Sequence, residues 1–518
     1  MSKKFKLVAI ITIIFLAIIF RFYYLDSAQN EVFGDIYEGL KILDSIRNGD
    51  LLWRFTLGDG PLFFYFAYPV SLFLGLSYLT LKVTSAIAGL ATIYFTYKLA
   101  KELLDDEFAL ISSFVISVSS WFLIYTRMGN IQPMVPFCAM GALWMLAVFA
   151  RTQKIRYLLA SAFMASIGLY TYPAGFIIPG VLAFCLLLVK LHKPSIKWIS
   201  LPIYGAALII LFLPMIKIIQ ADPALFGGGY IGSKLQTSAG VSALFESVLK
   251  TFTATHLRGD SGYRGNPVGT PHLDAISGIL MILGLVFWII NIKNYKSVFI
   301  LIPWVLLQVP SMVSLNSLGE VPSTGRTLGA APIIYLMVAT GLWWLLKSLR
   351  RFAGVSNITA NTTACIILLA ILGLNANRYM YQYLPGLPYN NTAGTAFTQN
   401  LVDSFSRETT VVLVKGSWID DMPNPQALQL LSKNRDKFIF VPNSLSITCS
   451  YLDSLSSPSV IIWDFKVNLP NDILGECQNW LNPVTLGTTK GYPILRMSPL
   501  MNPAKPPKLW TLPETKRQ

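Results

Sequence analysis

Residues 1–25, MSKKFKLVAIITIIFLAIIFRFYYL, join a basic start to a long apolar run. A helix needs about 20 apolar residues to cross roughly 30 Å of hydrocarbon, and residues 7–25 reach that length. No small-residue cleavage motif follows the run, so we expect an uncleaved first membrane helix rather than a signal peptide. The lysines before it indicate a cytoplasmic N-terminus.

Apolar runs recur along the chain of 518 residues. Only 13% of its residues are charged, against about 25% in soluble proteins, which excludes an ordinary soluble domain. The net charge of +15 is spread in short clusters between the runs, a pattern that favours membrane topology over a nucleic-acid partner. We predict eleven membrane helices, at 7–25, 78–100, 108–125, 134–150, 157–172, 174–190, 198–216, 274–291, 297–314, 327–347 and 361–376.

The charges also orient the chain. Every predicted inner connection is basic, whereas the first outer loop, 26–77, holds seven acids and three bases. By the positive-inside rule, this loop, residues 217–273 and everything after about 376 lie outside the cytoplasm. The fold class is therefore an α-helical polytopic membrane protein with its main domain at 1–376.

The first outer loop contains two stretches that suit helices lying along the membrane surface, at 35–49 and 60–75. A second feature is the break LYTYPAG at 169–175. Because the two half-helices of 157–190 reach only about 25 Å each, the break should be recessed below the outer surface. Tyr170 and Tyr172 would then face a cavity or lipid.

The chain after residue 376 changes in composition, and we predict a small extracytoplasmic α/β domain at 377–500. Its predicted strands are 409–417, 437–442, 459–465 and 492–498, with helices at 424–434 and 471–481 between them. The Pro- and Lys-rich residues 501–518 predict a disordered tail.

The cysteines give a weaker signal. Cys138, Cys185 and Cys365 fall within apolar runs, where a buried thiol is usual. Cys449 and Cys477 lie in the C-terminal part, and a disulfide between them fits an extracytoplasmic domain.

Two acids in the first outer loop, Asp35 and Glu38, are three residues apart on a predicted helix and share a face. A carboxylate in a partly dry cleft can accept a proton from a hydroxyl, since desolvation raises its basicity. The alternative is a solvated polar face. Asp59 begins the second surface helix, where an N-terminal cap is the simpler interpretation.

Basic residues accompany these acids at predicted outer positions. Arg127 ends the third predicted span and Arg326 begins the tenth; each can bind phosphate through two hydrogen bonds or lie at the interface as a snorkelling side chain. Arg264, a third candidate phosphate ligand, and His256 cluster with Arg258 and Asp260 in the loop 217–273, where they would contact a substrate or merely keep the loop solvated. Asp59 and His256 are also candidates for lining the substrate cavity. Together they indicate a site for a charged, lipid-linked molecule.

The sequence resembles a known family at several points in order. The stretches RFYYLDSAQNEVFGDIYEG, GDGPLFFYFAYPVSLFLG, WFLIYTRMGNIQP and ASIGLYTYPAGFIIP resemble membrane glycosyltransferases of the GT-C fold. They are most similar to the family 39 group, which includes protein O-mannosyltransferases and the aminoarabinose transferase of lipid A. The resemblance covers residues 1 to about 350.

The resemblance implies sugar transfer from a polyprenyl-phosphate donor to a lipid, protein or glycan acceptor, with inversion. It implies that Asp35 is the catalytic base, that Arg127 and Arg326 neutralise the leaving phosphate, and that Tyr170 and Tyr172 line the lipid-facing cavity. The family usually has Asp-Glu in this loop, whereas here Ile36 follows Asp35. A second carboxylate role for Glu38, including binding of a divalent cation, therefore stays open.

Two alternatives remain from other functional classes. A transporter or flippase of lipid-linked sugars should carry its charges in mid-span, whereas this chain concentrates them at helix ends. A relative that binds a lipid-linked sugar without transferring it is the other alternative, and the absent adjacent Glu is the feature that favours it.

Overall fold

The computed structural model describes the chain in twelve stretches. These are residues 3–26, 34–50, 60–221, 241–262, 264–386, 401–405, 409–414, 438–441, 447–455, 459–464, 484–487 and 493–499.

The first half of the described chain is almost entirely helical. Its α-helices are α1 (Lys3–Phe22), α2 (Gly34–Arg47), α3 (Leu62–Leu74), α4 (Tyr78–Leu103), α5 (Asp106–Val118), α6 (Ser120–Met128), α7 (Met134–Thr152), α8 (Ile155–Leu169), α9 (Ile178–His192) and α10 (Ser200–Ala221).

Helices continue from residue 241, within the second predicted outer loop, and a π-helical turn, Arg378–Tyr383, extends the last long one. They are α11 (Val241–Thr253), α12 (Ala275–Ile290), α13 (Val298–Leu306), α14 (Val309–Met312), α15 (Ala331–Phe352), α16 (Asn357–Asn377) and the short α17 (Leu384–Gly386).

The chain divides into two compact units. The membrane unit comprises Met1–Leu25 and Ile42–Tyr383, and the C-terminal unit comprises Asp26–Lys41 and Leu384–Gln518. The acidic segment 26–41 thus groups with the C-terminal residues, and α2 crosses from one unit into the other.

Helices occupy all eleven places predicted to span the membrane, but the number eleven is not confirmed. Among the described residues, seven helices are long and apolar enough to cross, or eight if the bent pair α5–α6 forms one span. Three shorter apolar helices, α3, α8 and α12, fall below that length. These findings establish an integral membrane protein.

The α5–α6 pair bends by 58° at Ser119. Asp105 caps α5 by accepting a hydrogen bond from the backbone N–H of Phe108, and Ser119 caps α6 in the same way for Phe122. The fully buried Arg21 of α1 donates to the Ser117 carbonyl at the bend, over 3.0 Å. The carbonyl released by the break is therefore paired, as a buried backbone group requires.

Two glycines bring α12 and α15 into backbone contact. A Cβ added at Gly284 would overlap the carbonyl oxygen of Met337, and one added at Gly341 would overlap that of Leu280. Small residues at a crossing allow close van der Waals packing, which drives helix association in lipid. Beside the crossing, the indole N–H of Trp288 donates to the Thr340 hydroxyl over 2.9 Å.

We call the helix ends that carry Lys6, Lys101, Arg151 and Arg350 the basic end of the bundle. Three successive acids at the start of α5 connect four helices there: Asp106 pairs with Lys6 of α1 and Lys101 of α4, Asp105 with Lys347 of α15, and Glu107 with Arg350 of α15. Part of the positive charge predicted at inner connections thus joins helices to one another.

The C-terminal unit contains a five-stranded sheet in the order β2-β1-β3-β5-β4. Strands β1 (Thr410–Val414), β2 (Phe438–Val441) and β3 (Ser459–Asp464) are parallel, whereas β4 (Val484–Gly487) and β5 (Pro493–Pro499) join antiparallel. A short helix, α18 (Cys449–Ser454), precedes β3.

The predicted α/β character of this domain is confirmed. All four predicted strands are present, and β4 was not predicted because its four residues, VTLG, are too few to give a pattern. The helices predicted at 424–434 and 471–481 and the tail 501–518 lie outside the described residues. Cys449 is disulfide-bonded, whereas Cys138, Cys185 and Cys365 are free; Cys365 is exposed rather than buried.

Substituting Gly284 tests the close crossing. We expect Gly284→Ala to lower the free energy of unfolding by about 1–3 kcal/mol, because the added methyl overfills a packed contact. Gly373→Ala is the control, since it places the same methyl on α16 with nothing within 4 Å and should be neutral or slightly stabilising. Equal melting temperatures for the two variants in detergent would contradict the crossing.

Candidate functional site

Arg127 lies at the end of α6 with 2% of its surface exposed. Its Nη1 donates to the Phe20 carbonyl over 2.6 Å, and its Nη2 donates to the carbonyls of Tyr23 and Tyr24 over 2.8 and 3.2 Å. The last carbonyls of a helix lack partners within it and favour a cation. Arg127 therefore caps the C-terminal end of α1.

A second buried cation, Lys82, holds Leu25, the residue that follows Tyr24. Lys82, with 4% of its surface exposed, lies in the second turn of α4, and its Nζ donates to the Leu25 carbonyl over 3.1 Å. The sequence reasoning missed Lys82, although a lysine within an apolar run was an available signal, since buried charges in membrane helices are costly and usually paired. Together the two cations fix the chain where the acidic loop begins.

Aromatic rings connect Arg127 to the predicted outer loop that carries Arg264. The guanidinium lies over the Tyr379 ring, 5.4 Å from its centroid, and Tyr379 stacks on Tyr383 with centroids 5.9 Å apart. The Tyr383 hydroxyl donates to the carbonyl of Arg264 over 2.7 Å. The π-helical turn after α16 thus joins two of the predicted phosphate-binding arginines.

Residues 254–273, which we call the Arg264 loop, fold back on themselves. The backbone N–H of His272 donates to the Ala254 carbonyl over 2.9 Å, and that of Gly259 donates to the Thr270 carbonyl over 3.1 Å. Arg378 donates to the carbonyls of three consecutive loop residues, Pro271, His272 and Leu273. The loop is therefore closed at its base.

Asp260 docks this loop on the bundle. Its carboxylate accepts hydrogen bonds from the backbone N–H of Thr324 at 2.9 Å, from the Thr324 hydroxyl at 2.6 Å and from Nε2 of His272 at 3.2 Å. Thr324 also bonds the Tyr125 hydroxyl over 2.8 Å. The sequence left two roles open for Asp260, contact with a substrate or solvation of the loop, and these bonds show that it connects segments.

The docked loop leaves no room for a side chain at Gly265. A Cβ there would overlap the hydroxyl oxygens of both Tyr125 and Thr324. Arg264, the adjacent residue, lies within electrostatic reach of the Tyr125 hydroxyl, and so does Tyr172. The Arg264 loop therefore packs against a buried phenol that α6 supplies.

Arg326 lies two residues after Thr324, so it is close in the chain to the residue on which Asp260 docks the loop. Its guanidinium forms an ion pair with Glu320, whose side chain is 60% exposed. His256, another predicted site residue, bonds the Thr255 hydroxyl at 2.8 Å and the Gly278 carbonyl at 3.1 Å. It therefore connects the Arg264 loop to α12.

The break at LYTYPAG pairs with the start of α3. The backbone N–H groups of Gly60 and Leu62 donate to the carbonyls of Thr171 and Tyr170 over 2.9 and 3.1 Å, and a Cβ at Gly60 would overlap the Tyr170 carbonyl. The Tyr170 ring is buried, and its hydroxyl donates to the Leu211 carbonyl over 2.8 Å. The predicted cavity residue Tyr170 thus packs inside the bundle.

The acids of the first outer loop are described only in part. Asp35 and Glu38 lie in the first turns of α2, but their side chains, and all of Asp59, fall outside the described residues. At the other end of α2, Ile42, Leu43 and Ile46 are buried, and Arg47 donates to the Ser71 carbonyl over 3.3 Å. Among the described residues, no group of three His, Cys, Asp or Glu side chains could hold a metal ion.

Comparison with known proteins supplies independent information. Residues 59–218 match the family model described as dolichyl-phosphate-mannose-protein mannosyltransferase. No curated protein sequence matches the chain.

Solved structures resemble it over nearly the whole chain. ArnT from Cupriavidus metallidurans, in the apo state, aligns with a TM-score of 0.59 and 10% identity, over 94% of this chain and 97% of ArnT. The same protein bound to undecaprenyl phosphate gives a TM-score of 0.58, with the same identity and coverage. The oligosaccharyltransferase AglB from Archaeoglobus fulgidus, in complex with an inhibitory peptide and a dolichol-phosphate, gives 0.52 at 13% identity, over 95% of this chain and 74% of AglB.

Identities this low establish the fold alone, and the fold is the one that the resemblance implied. The matched segment, 59–218, runs from the start of α3 into α10 and therefore includes Arg127, Lys82 and the tyrosine break. The chain is a polytopic membrane protein with the GT-C fold of membrane glycosyltransferases.

Proposed function

We propose that this protein transfers a sugar from a polyprenyl-phosphate donor to an acceptor hydroxyl or amine at the outer face of the membrane, with inversion at the anomeric carbon. The observation that carries the proposal is the convergence of the segments bearing Arg264 and Arg326 on Tyr125 and Thr324 within a GT-C fold. A transferase of this kind must stabilise a phosphate as it leaves, and fixed cations serve that purpose.

In this proposal Arg264 and Arg326 bind the donor phosphate. Arg326 forms an ion pair with Glu320, whose side chain is largely exposed. Exposed ion pairs contribute only about 0–1 kcal/mol to stability. A phosphate can displace the glutamate and gain a bidentate contact with the guanidinium. The same proposal assigns Asp59, Tyr172 and His256 to the substrate cavity, whereas Tyr170 packs inside the bundle.

Arg127 has a different task. Both of its terminal nitrogens are bound to carbonyls at the end of α1, so we assign it to positioning the chain that leads to the acidic loop. Lys82 shares this role through the Leu25 carbonyl. The resemblance assigned Arg127 to the phosphate; the capping geometry supports the positioning role instead.

Asp35 is the proposed base. The acceptor oxygen or nitrogen attacks the anomeric carbon, and a new bond to the sugar forms as the bond to the phosphate oxygen breaks. The polyprenyl phosphate leaves with the electron pair, and the Asp35 carboxylate takes the acceptor proton. Glu38, on the same face of α2, would raise the basicity of the Asp35 carboxylate as a nearby like charge or hold a divalent cation.

The donor class is supported by the solved structures, one of which contains undecaprenyl phosphate and another dolichol-phosphate. The acceptor, whether lipid, protein or glycan, is not specified by them. The disulfide at Cys449 supports an oxidising, extracytoplasmic location for the C-terminal unit, in keeping with the acidic first loop and a cytoplasmic N-terminus.

Removing the proposed base tests the chemistry. We expect Asp35→Asn to reduce sugar transfer by about 10²–10⁴-fold, the usual contribution of a general base, with donor binding retained. Asp50→Asn, which changes an exposed acid of the same loop, should transfer at the wild-type rate. The measurement is radiolabelled sugar transfer from polyprenyl-phosphate donors by purified protein, beside donor binding. Equal transfer by both variants would remove Asp35 from the mechanism.

The proposed phosphate ligands can be tested against a neighbour. Arg264→Gln and Arg326→Gln should each lower kcat/KM by roughly 10- to 100-fold, the value of one charge-assisted hydrogen bond. Arg258→Gln removes an exposed cation from the same loop and should have little effect. If all three variants transfer alike, with melting temperatures equal to that of the wild type, the two arginines do not contact the phosphate.

The docking of the Arg264 loop predicts a steric effect. Gly265→Ala should displace the loop from Tyr125 and Thr324, reducing transfer and accelerating hydrogen exchange within residues 254–273. Gly262→Ala, three residues earlier with open space around it, is the matched control and should change neither. Wild-type exchange in both variants would show that the loop is not held closed by this contact.

A further inference from the structure

A groove of about 690 Å³ lies at the opposite end of the bundle from the candidate site, within the roughly 300–1,000 Å³ usual for ligand sites. Helices α1 and α16 both pack on α5 and leave it between them. Its floor is buried, with Ile13, Leu110 and Ile111 among its residues, whereas its two lips, at Val8 and Leu369, are exposed. In a membrane this groove opens sideways into lipid.

The lining is apolar along most of its length, apart from the Thr12 hydroxyl, and its charged and amide side chains lie at one end. Glu107, Arg350, Asn357 and Asn361 supply the polar end. They lie at the start of α5, the end of α15 and the start of α16, which is the basic end of the bundle. A long apolar wall with a polar mouth matches an amphiphile whose head group lies at the membrane surface.

Charge at the mouth indicates the head group. Cations at this end, Lys6, Lys101, Lys347, Arg350 and Arg351, outnumber the acids Asp105, Asp106 and Glu107. Arg350 is held in place by both Glu107 oxygens at 2.8 and 3.0 Å and by Asn361 at 2.9 Å. Basic pockets between membrane helices on the cytoplasmic side bind anionic lipid head groups.

We propose that this groove binds one anionic phospholipid of the cytoplasmic leaflet, with an acyl chain along α1 and α16 and its phosphate near Arg350 and Asn361. The lipid fills the space between two helices that the protein leaves apart. Its leaflet rests on the proposed orientation of the chain, whereas the binding itself does not depend on the proposed transfer reaction.

Native mass spectrometry of the delipidated full-length protein tests this site. Titration with phosphatidylglycerol should show one lipid binding about 5- to 30-fold more tightly than phosphatidylethanolamine with the same acyl chains, as expected for one or two favourable cation contacts. Ala364→Trp, which fills the groove, should abolish that single tight binding. Ile366→Trp, on the exposed face of α16 outside the groove, should leave it unchanged.

The head-group contact has its own matched pair. Asn361→Asp should weaken the binding of phosphatidylglycerol several-fold by charge repulsion. Thr362 is the next residue and is exposed, so Thr362→Asp should leave the affinity unchanged. The native thiol Cys365, which lines the groove, provides a readout without substitution, because phosphatidylglycerol should slow its alkylation by a maleimide in a saturable manner.

Three results would overturn the proposal. Unchanged Cys365 alkylation at saturating phosphatidylglycerol would show that the lipid does not enter the groove. Equal affinity for phosphatidylethanolamine would remove the anionic selectivity. Displacement of phosphatidylglycerol by an equal or lower concentration of undecaprenyl phosphate would assign the groove to a polyprenyl lipid instead.

Discussion

The structure at the candidate site depends on one buried cation. Arg127 places its charge among the carbonyls of Phe20, Tyr23 and Tyr24, which lie at the end of α1 where helical partners run out. Removing the guanidinium would leave these carbonyls unpaired inside the bundle, at a cost of about 1–3 kcal/mol for each group. The interaction fixes the end of α1, with Lys82 fixing Leu25 beyond it. The first acidic loop therefore starts from a rigid point, as the proposed base Asp35 would require.

From Arg127 the same chain of contacts reaches the Arg264 loop through Tyr379 and Tyr383. The loop is docked by Asp260 and Thr324 and by the absence of a side chain at Gly265. Hydrogen bonds of this kind are directional and buried, so they specify one arrangement of the loop rather than merely favouring a compact one. The proposed phosphate ligands sit beside this network, and Arg326 has an exposed partner, Glu320, that a substrate can replace.

The two ends of the bundle use charge in different ways. At the basic end, Asp105, Asp106 and Glu107 each pair with lysine or arginine from another helix, so the acids stabilise the bundle while the remaining positive charge meets the membrane surface. At the end with the candidate site, cations are directed to carbonyls, to aromatic rings and to a displaceable glutamate. The first arrangement suits anchoring and lipid contact, and the second suits binding of a phosphate.

The sequence by itself determined the membrane class, the places of the helices, the α/β character of the C-terminal domain and the resemblance to GT-C glycosyltransferases, because apolar run length, strand pattern and motif order are local properties. It could not decide which cations are structural: Arg127 and Arg326 both looked like phosphate ligands, yet one caps α1 and the other pairs with Glu320. The sequence did not predict the roles of three further residues, Lys82, Tyr125 and Thr324, because each depends on a distant partner. Lys82 bonds Leu25, 57 residues away, and Tyr125 bonds Thr324, 199 residues away. Tertiary structure also decided the number of spans and the grouping of 26–41 with the C-terminal unit. Neither could be predicted, because helix bending and packing between distant segments leave no local pattern in the sequence.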